Sequence, residues 1–214
     1  MGEDMRKKYN KILSIIMPNK KTNLFVIIII IVGLTAGAIF SNILSMNDNK
    51  LVIEKITTFI DNINTGNIDS MQVLKNALSI NLLYTMLIWL FGMSLIGIFI
   101  VYGLLFLKNF IYGFTISSFI ITFKVKGIIL SILYLLFGEL LNIIALLLLT
   151  IYATNFTIKL LKTIFKNNNN SELKHFLKNY SIILLFVIII NIISSLSEAF
   201  ILPSFIKLII KLFI

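Results

Sequence analysis

Residues Leu24 to Leu44 form an apolar run without one charged side chain, directly behind Lys20 and Lys21. A helix needs roughly 20 apolar residues to cross the hydrocarbon of a bilayer, so this run is long enough to span. Its place near the start reads as an uncleaved signal anchor. Ala36-Gly37-Ala38 has the small residues of a cleavage site, but it sits inside the run rather than behind it, which argues against removal. Further apolar runs occupy 82–107, 109–123, 127–153 and 181–202. With 58% hydrophobic and 13% charged residues, the chain takes the bilayer as its solvent. The fold class expected is all-α: a polytopic transmembrane helical protein of about five spans.

The polar stretches between the runs set the rest of the layout. Segment 45–81 carries Asp48, Glu54, Asp61 and Asp69 against Lys50, Lys55 and Lys75. Within it Ile53, Ile56, Ile60 and Ile63 recur at helical spacing, which predicts a short amphipathic helix ending near Gly66. Asp69 followed by Gln72 has the spacing of a capping box, so a second helix is expected to start there and run on towards the membrane. This is a helical external cap. Lys108 is read as the end of the run 82–107, and 109–123 is barely long enough to cross. Asn167 to Asn170 reads as a polar turn and His175 as a solvated loop residue. Pro203 is expected to break or kink the last span, leaving 203–214 as a terminal helix with Lys207 and Lys211 on one face.

Charge orients the spans. Cytoplasmic segments collect Lys and Arg, so segment 1–23, with Arg6, Lys7, Lys8, Lys11, Lys20 and Lys21, belongs inside. The slightly acidic cap then lies outside. Segment 154–180, with Lys159, Lys162, Lys166, Lys174 and Lys178, also belongs inside, which requires an even number of crossings before it. Segment 109–123 must therefore cross, giving five spans with the end of the chain outside.

Inventory narrows the function. There is no cysteine and one histidine, which leaves no disulfides, thiolate metal sites or Cys nucleophile; no Gly-rich phosphate loop or Ser/His/Asp set is present either. No cofactor, no metal and no enzyme are expected. The net charge of +10 lies beside apolar runs rather than among exposed aromatics, so it points to an anionic inner leaflet and not to nucleic acid. Tyr9, Ile12, Ile15 and Ile16 within the basic stretch Met5 to Met17 suit an interfacial helix there.

The candidate site residues are few. Glu139 and Glu198 are acids inside apolar runs, and such groups are functional candidates by default. They could serve a small-solute or ion transporter, or fix helix packing through Asn142, Asn191, Ser194 or Ser195. Packing is favoured because no basic partner is evident within the membrane. Gly33 and Gly37, four apart, offer a close-packing face for another helix or for a homo-oligomer. The Ile53, Ile56, Ile60 and Ile63 stripe must either lie on the outer ends of the spans or receive a partner.

The run Ser197-Glu198-Ala199-Phe200-Ile201-Leu202-Pro203 resembles the last span of the stage II sporulation protein M family, with a Glu-Ala-aromatic pattern ahead of a proline. Tyr84-Thr85-Met86-Leu87-Ile88-Trp89-Leu90-Phe91-Gly92, with Ser94-Leu95-Ile96-Gly97, is similar to that family's second span. Phe106-Leu107-Lys108-Asn109-Phe110-Ile111-Tyr112-Gly113-Phe114-Thr115 is similar to the turn after it. In the fourth span Phe137-Gly138-Glu139-Leu140-Leu141-Asn142 stands where family members often carry a proline-containing segment. The resemblance covers nearly the whole chain. It implies a membrane scaffold of engulfment in endospore formation that locates the peptidoglycan-degrading stage II sporulation proteins D and P. It also implies a place in the mother cell's septal or engulfing membrane.

Overall fold

The computed structural model describes residues 20–166 and 170–213. Among these every regular element is helical. The first span is α1, Lys20–Asn42. The cap is α2, Met46–Thr65. The second span is α3, Ser70–Gly92, and the third is α4, Gly97–Phe123. The fourth span joins α5, Val125–Leu133, through a π-turn, Tyr134–Glu139, to α6, Leu140–Lys166. The fifth joins α7, Asn170–Leu196, through a second π-turn, Ser197–Ile201, to α8, Leu202–Phe213. Among the described residues five helices are long and apolar enough to cross a membrane, so the chain is a multi-pass membrane protein.

The local signals around the cap act as their chemistry dictates. Ser45 opens α2 by accepting the Asp48 N–H at 3.2 Å. Gly66 closes it with φ +78°, a left-handed conformation that a residue without Cβ enters cheaply. Asp69 caps α3 by accepting the N–H groups of Met71 and Gln72 at 3.0 and 3.2 Å. Such caps are each worth about 1 kcal/mol.

Helix limits elsewhere differ from those expected. The run 82–107 does not end at Lys108. The chain leaves the helix at Met93 to Ile96 and then continues as one helix through Lys108 to Phe123, so the short segment 109–123 is the outer half of a full-length span. The physical reason lies at Gly92 and Gly97. A Cβ at Gly97 would overlap the Phe91 carbonyl, so this tight turn accepts glycine there. The Gly92 carbonyl is taken by Thr157 Oγ1 at 3.1 Å instead of by a continuing helix. The basic segment 154–180 is also no loop: α6 continues to Lys166 and α7 starts at Asn170, because Lys, Leu and Glu favour helix. His175 accordingly sits exposed on α7, within 3.4 Å of Asn179. The expected interfacial helix Met5 to Met17, residues 167–169 of the polar turn and the Lys211 side chain lie outside what is described.

The packing has two apolar clusters. The inner one gathers Val26, Ile88, Val101, Leu105, Leu146, Leu149 and Val187 from all five spans. The outer one gathers Ile60 and Ile63 of α2 with Phe119, Leu130, Leu202 and Ile206. Phe137 and Phe205 stack beside it at 4.5 Å. Between the clusters lies a layer of polar side chains.

Candidate functional site: a polar layer at mid-span

The layer starts from Lys108. It stands near the middle of α4, where neither end of a lysine stem can reach water, and it is 6% exposed. Its Nζ donates to Asn81 Oδ1 at 3.2 Å and lies over the rings of Tyr84 and Tyr112 at 5.1 and 5.0 Å. Ring faces hold a cation more firmly when water is absent. Asn81 in turn donates to Ser195 Oγ at 3.2 Å. Lys108 thus ties α4 through α3 to α7.

A second chain of bonds joins these three spans to the fourth. Tyr112 OH donates to Asn142 Oδ1 at 3.1 Å, Asn142 Nδ2 to Asn191 Oδ1 at 3.5 Å, and Asn191 Nδ2 to Thr85 Oγ1 at 2.6 Å. Asn142, Thr85 and Asn191 have no exposed surface. In hydrocarbon an unmade bond has no water to replace it, so these side chains fix the register of spans two to five.

The two acids stand on the two π-turns, and the turns pack against each other. A π-turn inserts one extra residue and redirects the side chains around it. The Leu140 N–H bonds the Leu135 carbonyl, and the Leu202 N–H bonds that of Ser197, each five residues back. Pro203, which has no N–H, stands one residue beyond the second turn, after Leu202. Glu139 is 5% exposed; its Oε1 accepts Tyr134 OH at 2.9 Å, while its Oε2 has no hydrogen-bond partner. Glu198 is partly exposed. Lys108 interacts electrostatically with both carboxyls, which also act on each other.

The expected bond partners of the acids are engaged elsewhere. Asn191 serves Asn142 and Thr85, Ser195 serves Asn81, and Ser194 Oγ donates to the Gly138 carbonyl at 2.8 Å. The expectation of no basic group within the membrane is overturned by Lys108. Lys108, Asn81, Thr85, Tyr112 and Tyr134 are the residues that sequence reasoning left out of the site. The signal for the first was present: the apolar run continues past Lys108 for another 15 residues, to Phe123.

The other candidates fall outside this layer. Gly33 and Gly37 face α4, where a Cβ on Gly37 would overlap the Phe110 carbonyl and one on Gly113 would overlap that of Leu34. Their face is therefore occupied within the chain. Of the isoleucine stripe, Ile60 and Ile63 are buried in the outer cluster, and Ile53 and Ile56 are half-buried. Ile56 lines a cleft of about 290 Å³ between α2 and α4, beside Lys55, Phe114 and Ser118. Among the described residues no three metal-ligating side chains converge.

The SpoIIM family model, described as stage II sporulation protein M, matches residues 26–203. The chain belongs to this family. No curated protein and no solved structure matches it. The SpoIIM match takes in all five spans, the cap, both π-turns and Pro203. Membership makes the chain a sporulation-related membrane protein.

Proposed function

We propose that this SpoIIM-family protein is a non-enzymatic scaffold of the septal membrane that recruits and locates peptidoglycan-degrading enzymes, stage II sporulation proteins D and P, during engulfment. The observation that carries the reading is the seating of α2. Its apolar side is taken up by α8 and the ends of the spans beside it, so its opposite side, with Asp48, Lys50, Glu54, Lys55 and Asp61 exposed, is held as a fixed charged surface, and lysine placement along the chain argues that this side faces the wall. A helix with one face anchored and the other charged offers a partner a preorganised surface, with little ordering left to oppose binding. The test is Glu54→Lys together with Asp61→Lys in sporulating cells. Loss of co-purified D and P from a protein still inserted at normal level supports the reading; unchanged co-purification removes α2 as the docking surface.

A second reading, a small-solute or ion transporter using Glu139 and Glu198, draws support from the buried Lys108 in the same polar layer. Its mark would be a pH-driven flux in reconstituted vesicles that Glu198→Gln abolishes.

A further inference from the structure

The cleft between α2 and α4 has apolar walls, given by Leu51, Val52 and Ile56 from the cap and Phe114 from the span. Two of its groups break that pattern. Lys55 stands exposed at its rim, and Ser118, which lines it from α4, is 3% exposed with an Oγ that has no hydrogen-bond partner. A hydroxyl on a helix can always bond the carbonyl four residues back, as Thr115 and Thr122 on either side do at 2.9 and 2.8 Å. Ser118 forgoes that bond, and an unpaired buried hydroxyl is costly until an acceptor reaches it. Its depth says which acceptors are near. The 27 residues of α4 make a rod of about 40 Å, the thickness of a bilayer with its interfacial layers, and Ser118 lies five residues, about 8 Å, from the end at Phe123. That is the boundary between headgroups and hydrocarbon, where the ester carbonyls of phospholipids lie.

We infer that this cleft is a binding site for one anionic phospholipid. Part of an acyl chain lies between Leu51, Ile56 and Phe114, the Ser118 hydroxyl donates to an ester carbonyl, and Lys55 pairs with the phosphate. A room of about 290 Å³ suits a stretch of one flexible chain. A peptide segment there would bring backbone N–H and C=O groups that apolar walls leave unsatisfied. Bound in this way the lipid fastens the cap to the third span. The inference does not rest on the scaffold reading, since it needs the seating of α2 and no protein partner.

Native mass spectrometry of the full-length chain in detergent, titrated with phosphatidylglycerol or with zwitterionic phosphatidylcholine, tests it. One lipid per chain is expected, with phosphatidylglycerol held more tightly. Lys55→Gln should weaken phosphatidylglycerol roughly fivefold, the worth of one lysine beside an anionic headgroup, and leave phosphatidylcholine unchanged. Lys50→Gln, at an exposed position on the same helix that does not line the cleft, should change neither. Ser118→Ala should weaken both lipids alike, and Leu51→Trp, which fills the cleft from a side chain 58% exposed, should remove both. Should Leu51→Trp not fold by circular dichroism, the two lysine variants decide. Equal losses in Lys50→Gln and Lys55→Gln overturn the proposal in favour of general charge attraction, as does the lack of any preference for phosphatidylglycerol. A lipid retained by folded Leu51→Trp places it elsewhere and overturns it too. A dimer that the same variant dissolves gives the cleft to a second copy of the chain instead.

Discussion

Lys108 shows how one side chain can organise a membrane interior. Its ammonium is spread over Asn81, two ring faces and two distant carboxyls, so its removal leaves several groups uncompensated at once. Lys108→Met is expected to lower stability by about 3 kcal/mol, the usual order for breaking a buried charge arrangement from one side. Thermal unfolding in detergent, followed by helical circular dichroism, would measure it, and a loss below about 1 kcal/mol would mean the lysine reaches water. Glu198→Gln should cost less than Glu198→Leu in the same assay, because the amide keeps polar atoms where the hydrocarbon has none. At this scale the sequence was only partly legible. The two acids stood out because neither apolar run, 127–153 or 181–202, holds another charged residue. A lysine inside an apolar run reads instead as the end of a span, and only the packing of Asn81, Tyr84 and Tyr112 around it shows otherwise.

Among elements, the closest approach is between α1 and α4, where Gly37 and Gly113 each admit the other helix's backbone. Ser41 Oγ lies 2.6 Å from Ser117 Oγ along the same seam. In this cysteine-free chain, Ser41→Cys with Ser117→Cys should crosslink readily under mild oxidation, and adding Gly113→Leu should abolish the crosslink by forcing the helices apart. A crosslink that persists would place the seam elsewhere. The outer junction gives a second test at this scale. Lys124 takes φ +50° between α4 and α5, an unfavourable conformation for a side chain with Cβ, so Lys124→Gly should stabilise by up to about 1 kcal/mol in the unfolding assay. The caps at Ser45, Gly66 and Asp69 were legible because each is a local hydrogen bond written in one or two residues. The π-turns were not. An inserted residue rotates the outer half of a helix by about 100°, so no single 3.6-residue pattern runs through spans four or five.

For the whole molecule, the count of five spans was legible from apolar length, because it depends on sums over many residues. The helix limits were not, since polar residues flanking a span continue its helix at no cost once they leave the hydrocarbon. Single cysteines at 61, 166 and 207, probed with a membrane-impermeant thiol reagent in intact cells, should label at 61 and 207 and not at 166. Labelling at 166 would reverse the orientation argued from charge. The fourth and fifth spans hold one further consequence. Val125–Phe165 is 41 residues of helix and His175–Ile209 is 35. At 1.5 Å per residue the longer rod measures about 60 Å, twice the thickness of the hydrocarbon it crosses. A rod gripped halfway along is a lever. A sideways push on the tip remote from α2 turns about the bilayer and arrives, reversed in direction, at the end where α2 is seated.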